Sequence, residues 1–387
     1  MGKTATVLIL GGGTGGVVAA NVLGKALSKK HRIILVDRND RHYFKPSYPF
    51  VLVNQRRLAQ ISRKLHHLQK KGVELIQAGV EQVRPELCRV ETTLGPLTYD
   101  YLVIALGAEL HPETVPGLEA GAYIPYLPDQ VEALRQKLLT FKKGKIVLFI
   151  ASLPYSGVIG PLEIMFLLDS YFRQRGVRNQ IELTMVTPET APLPLAGPKV
   201  GASVRKAMEQ REIRFIAGAR VLALDANKGR LLLDHGISVP GDLFLGIPSH
   251  WGPKALRYSG LTEKGGWITV DPATFSTKAD RVYAVGDATA LRVPASKVWA
   301  PKAGIFAHFQ AEVVARNIIA LITGKEPSFR FTGKAAGAVL ATGLKEGRIA
   351  YINYYARPEP HFILLRPSKA AYLVKVAFEK YWLTRWF

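Results

Sequence analysis

TATVLILGGGTGG, residues 4–16, decides how the rest of the chain is read. Its first seven residues form a β-rich apolar run, typical of a strand buried on both faces. The turn after it carries Gly11, Gly13 and Gly16 in the spacing GxGxxG. Val17 to Leu27 suits a helix, and HRIILVD (His31 to Asp37) reads as a second strand that ends in an acid 21 residues beyond Gly16. Each part has a physical reason. Gly11 permits a tight turn out of the strand. Gly13 has no Cβ, so backbone can approach a pyrophosphate, and Gly16 lets the helix lie close to the sheet. The helix N-terminus aims free N–H groups at phosphates, and Asp37 stands where a ribose-binding carboxylate belongs. Strand, glycines, helix, strand and acid in register predict a dinucleotide site. Met1-Gly2 with Thr6 also fits an acylation pattern, and Gly2-Lys3-Thr4 echoes the end of a P-loop. Both fall in or before a buried strand with no loop glycines upstream, and neither is carried forward.

Further along, YDYLVIALGA (Tyr99 to Ala108) is a strand running into a small-residue turn, and RVYAVGDA (Arg281 to Ala288) is a strand ending in Gly286-Asp287. PKAGIFAHFQ (Pro301 to Gln310) opens a helix that continues to Ile319. An acid after a late strand can hold the ribityl chain of a flavin. A helix N-terminus beside it can support the negative charge of a reduced ring.

The composition sets limits around these motifs. The chain has 387 residues, enough for two or three domains, with 48% hydrophobic and 21% charged residues, so a large core is available. Fifty-two basic against 30 acidic residues leave a net charge of +22, which points to an anionic partner. The single cysteine, Cys88, excludes an internal disulfide, a zinc cluster and a CxxC redox pair. It falls in LCRVETT, which reads as a strand holding an inert, half-buried thiol. No HExxH occurs, His66-His67 lacks a ligand partner, and no metal site is expected. No helix-turn-helix, RNP or zinc-finger signature suggests nucleic acid. No apolar run reaches 18 residues, which argues against a spanning helix.

Taken together, the glycine-rich start, YDYLVIALGA, VYAVGDA and PKAGIFAHFQ resemble the FAD-dependent pyridine nucleotide-disulfide oxidoreductases. Among these, HYFKPSYPFVL (His42 to Leu52), IELTMVTPE (Ile181 to Glu189) and the aromatic basic tail resemble the sulfide:quinone oxidoreductase and flavocytochrome c sulfide dehydrogenase branch. The resemblance covers nearly the whole chain. It implies an α/β fold with two Rossmann-like dinucleotide-binding domains in three ββα layers, plus a C-terminal region with an amphipathic helix. The divisions expected are 1–110 for the first part of the FAD-binding domain, 111–240 for a second Rossmann-like domain, 241–325 for the return to the FAD domain, and 326–387 for a quinone and membrane region. The resemblance implies FAD on Gly11, Gly13, Gly16 and Asp37, with Lys45 and Pro46 beside the isoalloxazine and Val80 bracketing the adenine. Ala105 and Gly107 would line the pyrophosphate side. Gly286 and Asp287 would hold the ribityl chain, and Lys302 would sit at the ring's pyrimidine edge, as a catalytic candidate with Glu163. With no cysteine in HYFKPSYPF, the FAD is expected to be noncovalent.

The pattern breaks in the middle domain. After the strand Lys145 to Ile150, ASLPYSGVIGPLE lacks the first glycines of a phosphate loop, and the strand Ile181 to Val186 ends in Thr187-Pro188 rather than an acid. This site suits NADH poorly. The branch also uses two redox cysteines, and matching its motifs puts Gly157 and Gly337 in their places. Without two thiols a persulfide relay is closed. Glu163, at the start of a helix expected over Leu162 to Arg173, follows the first cysteine stretch, where relatives place a glutamate that could move protons; the alternative is a solvated helix-start carboxylate.

In the tail, Leu373, Ala377, Tyr381, Phe378, Trp382 and Trp386 recur at helical spacing between Lys375, Lys380 and Arg385. Residues 368–387 are therefore expected to lie in the plane of an anionic lipid surface, on the cytoplasmic face of a membrane, as a peripheral monotopic anchor. The same rings could instead dock on the chain's own surface or in a homo-oligomer interface. The resulting reading is a flavoprotein that passes electrons from an unidentified donor through FAD to a membrane quinone, with Phe331 and Phe378 as quinone contacts. The alternatives are a type II NADH:quinone dehydrogenase and a non-catalytic flavin-binding protein at membranes.

Overall fold

The first sheet is parallel throughout, in the order Val282–Ala284, Tyr101–Ile104, Thr6–Leu10, Arg32–Asp37, Glu74–Gln77. The chain leaves Thr6–Leu10 toward one side and returns to Tyr101–Ile104 on the other. That reversal places a crevice at the strand ends where the glycines lie. Alternation along the strands divides the core. Val7, Ile9, Ile33, Leu35 and Val103 face the helices Thr14–Leu27 and Gly304–Ile322, while Leu8, Leu10, Ile34, Val36, Leu102 and Ile104 face an antiparallel layer that contributes Val83 and Val90. The computed structural model describes residues 4–387, apart from the side chains of 336–338. Met1, Gly2 and Lys3, where the acylation and P-loop patterns begin, lie outside the described residues.

A second parallel sheet, ordered Ile213–Ile216, Ile181–Val186, Gly144–Ile150, Leu243–Ile247, repeats the plan. Ile146, Leu148, Leu183 and Leu245 pack on helices, and Val147, Phe149 and Phe244 pack on a small antiparallel sheet through Val221, Leu231 and Val239. Two short strands, Glu109–His111 and Ser249–Trp251, pair antiparallel where the chain crosses between the halves. The α/β class, the ββα layering and the C-terminal helix thus agree with the sequence reading.

Three antiparallel strands, Lys334–Gly343, Glu346–Asn353 and His361–Leu364, precede the tail helix Lys369–Arg385, which Ser368 caps by accepting from the Ala371 N–H at 3.1 Å. One expectation needs correction and one open alternative is settled. Cys88 is not in a strand: it ends a short 3₁₀ turn at φ +47° and is exposed. Glu163 is not solvated: it is buried in the first turn of the helix Gly160–Gln174. By length and composition, the helix Gly304–Ile322 could cross a membrane, although no unbroken apolar run is that long; half of its most apolar window is buried in the fold.

Candidate functional site

The glycine turn has one packed side and one open side. Gly11 sits at φ +102°, where a Cβ would strike the Ala105 carbonyl, and a Cβ on Gly16 would strike the Gly11 carbonyl. Among the described residues, a Cβ on Gly13 would meet nothing within 4 Å, and neither would one on Gly107 across the crevice. No side chain caps the helix Thr14–Leu27, so its first N–H groups stay available to an anion. Asp37 accepts from the Gly12 N–H at 2.6 Å and from the Asn39 N–H at 2.7 Å, which fixes its carboxylate at the strand end. This bare, backed cradle fits the pyrophosphate and ribose of FAD.

At the far end of the crevice, Gly286 lies at φ +70° and donates its N–H to Gln310 Oε1 at 2.7 Å. Asp287 accepts from the Ser156 hydroxyl. Lys302, just before the helix Gly304–Ile322, is buried rather than solvated. Its Nζ donates to the Asp287 and Thr289 carbonyls at 2.8 and 3.0 Å and lies 3.7 Å from the Trp267 ring centroid. Burial lowers it to about 8, against the pull of Asp287 and Glu263. Lys45 and Pro46 are exposed in a 3₁₀ turn, Val80 opens the strand Val80–Arg84, and Ala105 backs Gly11. The structure therefore brings Gly11, Gly13, Gly16, Asp37, Ala105 and Gly107 to one end, and Gly286, Asp287 and Lys302 to the other.

Of the other candidates, Gly157 and Phe331 adjoin the end that holds Gly286 and Lys302, whereas Glu163 and Phe378 make their contacts elsewhere. Glu163 accepts from Lys375 of the tail and from the Ala341 N–H at 2.7 Å; burial pushes its carboxyl up, and Lys375 opposes this. Phe331 packs between Phe275, Phe306 and Tyr355, on a cavity shared with Gln310 and Tyr354. Phe378 instead packs beside Phe44, 6.1 Å between ring centroids. Gly157, at φ +67°, donates its N–H to the Lys302 carbonyl at 2.6 Å, and a Cβ there would meet only the Tyr126 hydroxyl at 3.7 Å. Gly337 lies where the register of Lys334–Gly343 shifts, with its surroundings outside the described residues.

In the second domain, two loops at the strand ends touch. Tyr155, from the loop after Gly144–Ile150, is buried and donates its hydroxyl to Glu189, beyond Ile181–Val186, at 3.2 Å. On the plan of the first sheet the second crevice lies between the loops after Gly144–Ile150 and Leu243–Ile247, so this contact stands at its adenosine side. Burial lifts Glu189 to about 7, with the Tyr155 hydrogen bond opposing. Its unfolded value near 4.5 is lower, so folding takes up a proton between those values. Stability should therefore fall, by up to about 3 kcal/mol, as pH rises from 4.5 to 7. Glu189→Gln should flatten that limb in denaturation curves taken across the range; an unchanged slope would reject it.

Sequence reasoning missed His250. It sits on the crossing strand Ser249–Trp251, buried, with its ring 5.8 Å from that of Tyr126. Nδ1 lies 2.8 Å from the Pro248 carbonyl, which can only accept, so Nδ1 carries the hydrogen. Burial lowers the imidazole to about 4, with Asp287, Lys45 and Lys302 close enough to act on it. Nε2 is thus a bare lone pair without a partner among the described residues, near Asp287, Lys45 and Lys302. A lone "PSH" in the sequence gives no signal for this.

The family model for pyridine nucleotide-disulphide oxidoreductase matches residues 5–310. The mitochondrial sulfide:quinone oxidoreductase of Mus musculus is 25% identical over 366 residues, covering 91% of this chain and 79% of that protein. The type II NADH:quinone oxidoreductase of Haemophilus influenzae is 26% identical over 380 residues, covering 85% and 83%. The crystal structure of the sulfide:quinone oxidoreductase from Aquifex aeolicus superposes with a TM-score of 0.89 at 24% identity, covering 99% of this chain and 91% of that one, a likeness of fold.

Proposed function

Because the chain belongs to the pyridine nucleotide-disulphide oxidoreductase family, we propose that it is an FAD-dependent oxidoreductase that passes electrons from a donor other than NAD(P)H to a membrane quinone, with no cysteine relay. FAD held in the first crevice would supply two-electron chemistry. One observation carries the reading. The loop that would deliver a thiol to the ring is fixed at the site by Gly157 N–H to Lys302 carbonyl (2.6 Å) and by Ser156 to Asp287, and it presents a glycine there. The names of the relatives above, which act on sulfide or NADH, share the quinone as acceptor. The Tyr155–Glu189 contact, beside a loop without phosphate-binding glycines, argues against NADH as the donor.

Within this reading the chain's residues divide the work. The Gly11–Gly16 turn and Asp37 bind the adenosine diphosphate half. Asp287 and Lys302 orient the ribityl and pyrimidine end, and His250 Nε2 accepts a hydrogen bond on the donor side. An imidazole lowered to about 4 is too weak a base to keep a proton at neutral pH, so it positions rather than titrates. Phe331, packed against Phe306 beside Tyr354, is the assigned quinone contact; the cavity these rings wall has room for little more than a water, so they must part to admit a quinone ring. On the tail helix, Leu373, Val374, Phe378 and Tyr381 point outward beside Lys380 and Arg385, a face suited to an anionic bilayer surface. The FAD is held without a covalent bond.

Protein loaded with FAD and photoreduced under anaerobic conditions is expected to be reoxidised by a short-chain quinone within seconds; a flavin that stays reduced overturns the reading. Mixing with NADH should leave the oxidised flavin band unchanged. Rapid bleaching would transfer the assignment to a type II NADH:quinone dehydrogenase.

A further inference from the structure

The tail helix's inner face does not meet an inert surface. Trp382 is buried at 2% exposure, and its ring stacks on His42 with centroids 4.7 Å apart and planes 27° apart. Nδ1 of His42 lies 2.9 Å from the carbonyl of Gly12, the residue at the centre of the phosphate turn. A carbonyl only accepts, so the imidazole donates there. Gly12 is therefore held on both sides: its N–H by Asp37 at 2.6 Å and its carbonyl by His42, which Trp382 and Phe387 cover.

Independent contacts tie the same tail to the helix that points at the phosphates. Asn21 of Thr14–Leu27 donates to the Trp386 carbonyl at 2.9 Å, and Lys71 donates both to Asn21 at 2.8 Å and to the Arg385 carbonyl at 3.0 Å. The Trp386 ring lies 5.0 Å from that of His308, on the helix that follows Lys302. Ser47, two residues beyond Lys45, and Arg56 both bond Glu379. The 17-residue helix and the two residues after it thus reach the phosphate turn through His42, the helix behind that turn, the Lys45 segment and the helix after Lys302.

We propose that the C-terminal helix is a wall of the cofactor site, so that its docking and FAD binding stabilise each other through Trp382, His42 and the Gly12 carbonyl. This rests on FAD occupying the first crevice, as proposed above. Without Trp382, His42 loses the ring that holds its plane, and the Gly12 carbonyl loses a fixed donor, so the turn samples conformations that do not fit a pyrophosphate. Linkage makes the effect reciprocal: whatever factor the docked helix adds to FAD affinity, bound FAD must add to helix docking.

Two measurements test this. Apoprotein is titrated with FAD, followed by quenching of flavin fluorescence, for the parent, Trp382→Ala and Tyr381→Ala. Tyr381 is on the outward face of the same helix, 58% exposed. Trp382→Ala should weaken FAD binding by about tenfold, and Tyr381→Ala should leave it within twofold. Hydrogen exchange of residues 369–387 in the unmutated chain, with and without saturating FAD, should slow by a similar factor, and this readout does not depend on a variant folding. FAD affinity within twofold of the parent in Trp382→Ala, or tail exchange that FAD leaves unmoved, overturns the coupling. A parent chain that takes up no FAD overturns the functional reading instead.

Discussion

Glu163→Leu is expected to be among the most damaging single substitutions in the chain, costing about 3–5 kcal/mol of stability. Glu163 and Lys375 are both buried and bonded to each other; the carboxylate also takes the Ala341 N–H, and the ammonium also reaches the Val339 carbonyl at 3.2 Å. Removing the acid leaves an ammonium in the interior with one neutral partner and an amide hydrogen with none. Lys375→Met should cost less, because the remaining carboxyl can take a proton, as burial already favours. The sign follows: with its folded pKa raised above the unfolded value, the lone Glu163 is tolerated at low pH, and the Lys375→Met defect grows as pH rises. The double replacement Glu163→Leu with Lys375→Met should recover most of the loss, because neither charge is then stranded. At the size of this chain, 3–5 kcal/mol is a fall of roughly 4–6 °C in the thermal midpoint. A double variant no better than Glu163→Leu would show that packing, not charge, holds the helix.

The same pair marks where sequence reasoning stops. The glycine turn was legible because the pattern that marks it, from Thr4 to Asp37, lies within about thirty residues, although Ala105 and the tail also hold it. The tail was legible as a helix with two faces, but not as to which face is inside. An apolar stripe is ordinarily the buried one. Here Lys375 and Glu379 turn inward because their partners, Glu163 and Arg56, lie 212 and 323 residues away. Trp382, Leu383 and Trp386 turn in with them, while Leu373 and Tyr381 are left outside at 62% and 58% exposure. No local pattern contains that information.

His250 and Tyr155 were hidden for a related reason. His250 gains meaning only because its short strand pairs with Glu109–His111 and brings the imidazole near Lys45, Asp287 and Lys302. The missing phosphate-loop glycines were visible in the sequence, but that Tyr155 turns inward and meets Glu189 was not, because the two lie on loops 34 residues apart.

Two neighbouring glycines, substituted in the same way, should fail in different ways, and the difference locates the cofactor. Gly16→Ala puts a Cβ onto the Gly11 carbonyl, so the helix must move off the strand that supports it. Overpacking of this kind costs about 1–3 kcal/mol. The displaced turn also loses its aim at the phosphates, where each charge-assisted hydrogen bond contributes about 1.5–3 kcal/mol. Gly16→Ala should therefore lower both the thermal midpoint and FAD affinity, the latter by ~100-fold or more. Gly13→Ala meets no atom of the described residues within 4 Å, and Gly13 has φ −72°, which alanine adopts freely. The apoprotein should fold within about 0.5 kcal/mol of the parent. Its new methyl nevertheless stands where the pyrophosphate must approach, so FAD affinity should drop by ~10-fold or more, the loss of at least one such hydrogen bond, with no stability defect to explain it. Thermal midpoints of both apoproteins, beside FAD titrations of each, separate the two cases. If Gly13→Ala bound FAD as tightly as the parent, the pyrophosphate could not lie against this turn, and the roles given to Asp37, Asp287 and Lys302 along the crevice would fall with it.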